Sequence, residues 1–286
     1  LLAEINQTLV VVNEQFSTYM ADSELSTFNK TPANQAVTVS PEVITLMKEA
    51  VRLHELTEGA LNVTIGPLVN MWGFGPEATP TKVPSEDDIA KAKAKMGLDK
   101  VIIGDNTLSK LQEGLYVDLS SIAKGYGVDV IAQLMESKGL HNYQVEIGGE
   151  TRTKGIKTNG QKWRIGILSP NPNKMEAQQI ITPGDISIAT SGDYYNYYEK
   201  DGVRYSHIID PVTGKPLDHK LVSVSVLHPS CGTADGLSTA LYVMGPEKGL
   251  ALANRINLPV FMIVKSGDGF KEVVSESFKP YLKREL

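Results

Sequence analysis

Residues 143–147 read YQVEI, and they open a series. WRIGIL (163–168), ISIAT (186–190), YYNYY (194–198), VRYSHII (203–209) and VSVSV (222–226) follow. Each is a short run rich in β-branched and aromatic residues, as expected of a strand. Asp201-Gly202 lies between two such runs and signals a hairpin turn. The flanks of this block are helical. A run of strands enclosed by helices argues for an α+β fold rather than a doubly wound parallel sheet.

Upstream, Leu2, Ile5, Leu9, Val12 and Phe16 alternate in steps of three and four, which is one helical face. A second helix is capped by Ser40 and opens on Pro41. It carries Val43, Leu46, Met47, Ala50 and His54 on one side and stops at Gly59. His54 reads as the edge of that stripe rather than as a ligand. GPLVNMWGFGPEATPTKVP (66–84) reads as an irregular loop. Ser85 opens a short helix ending near Gly97, strands are expected at 101–103 and 115–119, and a helix at 121–138 stops at Gly139. Downstream, helices at 233–244 and 246–256 precede the strands PVFMIV and KEVVSE.

At 286 residues the chain can form one large domain or two intimately packed ones. Its composition, 41% hydrophobic and 21% charged, is that of a globular protein. The net charge of −5, with no basic run, argues against nucleic-acid binding. One cysteine, Cys231, excludes an internal disulfide, and no Cys/His cluster suggests zinc. No apolar run approaches the ~20 residues of a membrane-crossing helix.

Four stretches could carry chemistry. In DLSSIAKGYGVD (118–129), Asp118 ends an apolar strand on the face opposite its leucines. Ser120 or Ser121 can cap the following helix, whose free N–H groups favour a phosphate, and Lys124 adds a full charge. Gly125 and Gly127 leave room for a ligand or another backbone. The same residues also suit a capped helix with a glycine contact to a neighbouring strand. In CGTADGLSTALYVMG (231–245), Thr233 can cap, and Asp235 and Thr239 share a face one turn apart. These are hard oxygen donors suited to magnesium. Equally, Asp235 could complement the helix dipole and Thr239 bond back to the backbone. In RYSHIIDPVTGKP (204–216), His207 sits in an apolar strand as a core residue or a proton acceptor. In TSGDYYNYYE (190–199), the tyrosines could cover a sheet or stack on a planar ring. IGGE (147–150) is a strand end with a tight turn.

Seven stretches, FSTYMADSELSTFN, GALNVTIGPLVNMWGFG, DLSSIAKGYGVD, VEIGGE, ATSGDYYNYYE, YSHIIDPVTGKP and TADGLSTALYVMG, occur in this order. Together they resemble the ApbE family of FAD:protein FMN transferases, over nearly the whole chain. The resemblance implies one ApbE-type domain, with two α+β subdomains as an option. It also implies a T-fold-like architecture of central, largely antiparallel sheets flanked by helices. The implied reaction cleaves FAD with magnesium, places FMN on a Thr or Ser hydroxyl of a target protein, and releases AMP. By resemblance Asp235, Thr239 and the Ser121 carbonyl bind the metal. Tyr19, Ala60, Leu61, Asn62, Asp118, Lys124 and Ile209 contact FAD, and His207 is the general base beside a catalytic Asp235. The chain departs from the family pattern at Leu61-Asn62, where Phe-Asp is common, and at Ser120-Ser121, where Gly-Gly is usual.

The resemblance leaves other readings to compare. Water could replace the acceptor, giving an FAD pyrophosphatase, or FAD could simply be bound and delivered. Self-flavinylation at Thr190 is set aside, because ISIAT reads as a core strand. The family further implies a periplasmic protein held by an N-terminal lipid anchor absent from this chain. The expected acceptors are flavoprotein subunits of sodium-pumping quinone reductases or Rnf-type complexes.

Overall fold

The computed structural model describes residues 1–76, 83–170, 176–192, 197–200 and 203–282. Two compact units divide the chain: Leu1–Ala123 with Tyr197–Leu217, and Lys124–Asn196 with Asp218–Leu286. In chain order the elements are α1 (Leu2–Phe16), α2 (Glu24–Lys30), β1 (Val37–Thr38), α3 (Pro41–Leu56), α4 (Gly66–Met71), α5 (Glu86–Ala94), β2 (Val101–Ile103), β3 (Thr107–Lys110) and α6 (Ser120–Ser137). There follow β4 (Tyr143–Ile147), β5 (Glu150–Lys154), β6 (Ile165–Leu168), β7 (Ala177–Ile181), β8 (Ser187–Gly192), β9 (Tyr197–Lys200), β10 (Val203–Ser206), β11 (Leu221–His228), α7 (Cys231–Arg255), β12 (Val260–Ser266) and β13 (Gly269–Val274). The mixture of helices and antiparallel sheets is the expected α+β class.

In the first unit, α3 buries Val43, Leu46, Met47 and Ala50, the predicted stripe. Ser40 occupies the N-cap position, but its hydroxyl does not cap; it accepts from the Gln15 amide at 3.1 Å. The Ser85 cap forms in full, as a reciprocal capping box with Asp88. The stretch expected as an irregular loop contains α4. Pro67 suits its first turn, and Leu68 and Trp72 are buried with Ile89, Met96 and Ile209. Burial of each such large apolar side chain contributes roughly 1.5–3 kcal/mol. The Trp72 indole N–H donates to the Gly214 carbonyl at 2.8 Å, which ties the DPVTGKP turn to this cluster.

Residues 115–119 form no strand. Side chains take the place of a neighbouring strand: the Asn29 amide donates to the Val117 carbonyl and accepts from the Val117 N–H, both at 2.8 Å. The Asp118 N–H goes to the Val63 carbonyl at 2.8 Å. Leu115, Val117 and Leu119 are fully buried, so the apolar alternation was read correctly and only the ladder is missing. β9 and β10 pair antiparallel, Lys200 opposite Val203. The Asp201-Gly202 turn lies outside the described residues, as do Asp193–Asn196 of the tyrosine run.

The second unit is built on a six-stranded antiparallel sheet, ordered β13-β12-β11-β8-β5-β4. On one face Ile188, Leu227, Phe261 and Ile263 pack with Phe278 and with Ile167 and Ile181 of the β6–β7 hairpin. α7 lies against the other face: Ser191 of β8 meets Ser238, and a Cβ on Gly249 would come within 3.1 Å of Met262. α7 is broken at Gly245 (φ 77°, ψ 176°), where two helices were expected. Pro246 supplies no N–H to the Tyr242 carbonyl, and His219 Nε2 lies 2.7 Å from that oxygen instead. β5 and β7 escaped the sequence reading, since ETRTK has no apolar residue and AQQII has no apolar–polar alternation.

Candidate active site

In the second unit the site is built where α6 passes the start of α7. A Cβ on Gly125 would lie 2.3 Å from the Cys231 carbonyl oxygen, so only glycine permits the approach. The glycine serves contact with a helix, not with a strand. Ser230, rather than Thr233, caps α7 by accepting the Thr233 N–H at 3.2 Å. Asp129 of α6 accepts from the Ser230 hydroxyl at 2.9 Å and the Gly232 N–H at 3.1 Å, and pairs with Arg152 at 2.8 Å. The end of α7 is therefore fixed on α6 before any ligand arrives.

This docking buries Asp235, whose side chain is 3% exposed. Its Oδ2 accepts from the Gly125 N–H at 3.0 Å, and its Oδ1 lies 3.9 Å from the Lys124 ammonium. Lys124 also pairs with Glu150 at 2.6 Å. Glu150 is the first residue of β5, placed by a two-glycine turn in which Gly148 and Gly149 both have positive φ. Its Oε2 is buried without a hydrogen-bond partner. The reading of IGGE as a tight turn was correct, but it missed the carboxylate; the signal was an acid at the start of a strand directly after that turn.

Two buried carboxylates share one ammonium. Loss of solvent pushes Asp235 up to about 8, opposed by Lys124 and reinforced by Glu150. Desolvation likewise raises Glu150 against the pull of Lys124. Burial lowers Lys124, but Asp235 and Glu150 more than offset it and hold the ammonium above its ordinary value. With both acids ionised the cluster carries one surplus negative charge, and the orphaned Glu150 oxygen marks the same deficit. A proton on Asp235 balances the cluster near neutral pH, and a cation bound there would displace it.

Thr239, one turn along α7 from Asp235, does not bond back to its own helix. Its hydroxyl lies 3.1 Å from that of Ser191 in β8. Asp235 and Thr239 thus present hard oxygens suited to magnesium. Among the described residues there is no group of three or more His, Cys, Asp or Glu side chains that could hold a metal. The predicted set differs in kind, with one carboxylate, one hydroxyl and one backbone carbonyl.

The first unit holds the remaining candidates. The Leu61 carbonyl accepts from His54 Nδ1 at 2.7 Å and the Leu61 N–H donates to Thr57 at 3.1 Å, so the Ala60–Asn62 turn is held from the helix before it. Asn62 Oδ1 accepts from the Thr64 N–H and hydroxyl at 3.0 and 2.6 Å. The adjacent Val63 carbonyl receives the Asp118 N–H, which brings Asp118 beside this turn. The Asp118 carboxylate, not a serine, caps α6, accepting the Ser120 N–H at 2.9 Å. Ser121 is the second residue of α6 and half-buried. His207 stands one residue beyond β10 rather than within the strand, edge-on to Phe74 at 6.3 Å. Ile209 is buried against Trp72, and Tyr19 is 73% exposed. In the second unit, Thr190 sits in β8 with its hydroxyl 2.7 Å from that of Ser225.

The family model described as the ApbE family matches residues 1–262. The chain belongs to the ApbE family. It is 56% identical over 284 residues to the FAD:protein FMN transferase of Vibrio cholerae, covering 99% of this chain and 85% of that protein. It is 41% identical to the Escherichia coli K12 protein of the same name, covering 99% and 82%. The solved structure of flavin transferase ApbE from Vibrio cholerae superposes with a TM-score of 0.91 over 98% of this chain and 89% of that one, at 55% identity. The apo flavinyl transferase ApbE of Pseudomonas stutzeri gives 0.91 at 39% identity, covering 99% and 88%. As an ApbE protein, the chain has its Asp235–Thr239 pair on a helix docked against the six-stranded antiparallel sheet.

Proposed function

We propose that this ApbE protein transfers the FMN half of FAD to a Thr or Ser hydroxyl of an acceptor flavoprotein, releasing AMP. The observation that supports the reading is the buried cluster in which Asp235 and Glu150 share the one ammonium of Lys124. The Asp235 carboxylate, the Thr239 hydroxyl and the Ser121 carbonyl would hold Mg2+. Bound there, it would supply positive charge to offset that of the pyrophosphate.

The residues of the chain do the rest. The Gly125 N–H fixes the orientation of the Asp235 carboxylate. Lys124, held by Glu150, directs its ammonium to a phosphate. Tyr19, Ala60, Leu61, Asn62, Asp118 and Ile209 contact FAD, the Ala60–Asn62 turn and Asp118 being joined already by one backbone bond. His207 takes the proton from the acceptor hydroxyl, a task suited to an imidazole near neutral pH. The FMN phosphate forms a P–O bond to the acceptor oxygen, the anhydride P–O bond breaks, and AMP carries away the electron pair. We place the protein in the periplasm on a lipid anchor, with flavoprotein subunits of sodium-pumping quinone reductases or Rnf-type complexes as acceptors.

Mass spectrometry of a Thr-containing acceptor peptide tests this, after incubation with the protein, FAD and Mg2+. The expected result is a gain of one FMN on the peptide with an equal yield of AMP. FMN and AMP released with no modified peptide would establish hydrolysis instead. FAD bound with no AMP would establish a binding protein.

A further inference from the structure

The hydroxyl of Ser191 touches two others, Ser238 at 2.7 Å and Thr239 at 3.1 Å. Ser238 also reaches the carbonyl oxygen of Asp235 at 2.9 Å. Each hydroxyl has one proton to donate and two lone pairs to accept with. A carbonyl only accepts, so the Ser238 proton is committed to Asp235. Ser191 must then donate to Ser238, and its own proton is committed. In the remaining contact Thr239 must donate to Ser191. The chain therefore runs in one direction, Thr239 to Ser191 to Ser238 to the Asp235 carbonyl.

We propose that Ser191 is a positioning residue that turns the Thr239 hydroxyl proton into β8 and presents its lone pairs to a divalent cation. An unanchored threonine on a helix competes for the carbonyl four residues back. Here that carbonyl is the one Ser238 takes. The rotor of Thr239 is thus set by the strand, before any cation arrives. The inference rests on the magnesium reading of Asp235 and Thr239 and adds a residue from the opposite element. Ser187, Ala189 and Ser191 alternate along β8, and Ser187 and Ala189 are fully buried, so a small side chain lets α7 lie close enough for the contact.

The test is Mn2+ binding to the intact protein without FAD, followed by calorimetry or by the EPR signal of free Mn2+. Ser191→Ala should weaken binding by about 10-fold, the lower end of the range for an outer-shell partner. Ser191→Thr keeps the hydroxyl and should restore it. Ser238→Ala frees the Ser191 proton to turn onto Thr239, so it should weaken binding too. The double variant should lose no more than the worse single one, because Ser238 acts only through Ser191. Parental affinity in Ser191→Ala, or additive losses in the double variant, would overturn the proposal. Asp235→Ala separates the two readings: if it binds Mn2+ like the parent, the metal assignment itself fails, whatever Ser191 does. Thermal midpoints of all variants identify any that fail to fold, and for those Ser191→Cys replaces Ser191→Ala with loss of binding again expected.

Discussion

Two lysines are held in opposite ways. Lys110 is 2% exposed and donates to the carbonyls of Asn29 at 2.7 Å and Leu115 at 3.0 Å, with its ammonium 5.5 Å from the centre of the Phe28 ring. Lys124 is 47% exposed along its side chain and lies between two carboxylates that are almost wholly buried. Desolvation lowers Lys110 in spite of Glu113, whereas the carboxylates raise Lys124. Around Lys110 neutral backbone oxygens complete the coordination, and nothing more is needed. Around Lys124 the acids outnumber the cation. One site is closed and structural; the other is the one to which we assign a cation.

The largest effect that can break this contrast is Asp235→Ala. FMN transfer should fall by at least ~100-fold, beyond what losing an outer-shell partner costs. The thermal midpoint should hold or rise, since a desolvated acid is removed. A large fall in the midpoint would make Asp235 structural, like Lys110.

The reverse result is expected at the closed site. Lys110→Met keeps most of the stem but leaves two carbonyls without a donor, so urea denaturation should show a loss of about 2 kcal/mol. Transfer per folded molecule should stay at the parental rate. Gly125→Ala should act on both counts. Its Cβ would strike the Cys231 carbonyl, a strain of about 1–2 kcal/mol, and transfer should fall as the N–H moves off Asp235.

A further effect is a slope with pH in the metal-free protein. Asp235 ionises near its ordinary value when unfolded and at about 8 when folded. Between those values the folded state binds more protons, so stability falls as pH rises. The midpoint should drop between about pH 5 and pH 8, and Asp235→Asn should flatten that slope. A slope that is unchanged in Asp235→Asn would assign it to other groups.

The contrast also explains what could be read in the residues alone. Strands such as VSVSV and helices such as α3 announce themselves through local period, and α5 through its cap. Asp235 and Thr239 are legible for the same reason, being one turn apart on one helix. The errors lie where the partner is distant in sequence. Residues 115–119 have the pattern of a strand, but the partner of Val117 is the side chain of Asn29, 88 residues away. Ser191 and Thr239 meet across 48 residues, and Lys124 and Glu150 across 26. The caps moved for a related reason: Asp118 supplies what Ser120 or Ser121 was expected to supply, and Ser230 what Thr233 was, and backbone geometry decides between neighbouring oxygens. Glycine gave a partial signal, since Gly125 marked a close approach without saying which element approached.

The most direct test is anomalous diffraction from crystals of the protein soaked with Mn2+. A peak at about 2.1 Å from both an Asp235 carboxylate oxygen and the Thr239 hydroxyl, the spacing of a small hard cation, is the expected result. A peak bound elsewhere, with the Asp235 carboxylate still held only by Gly125 and Lys124, would contradict the account.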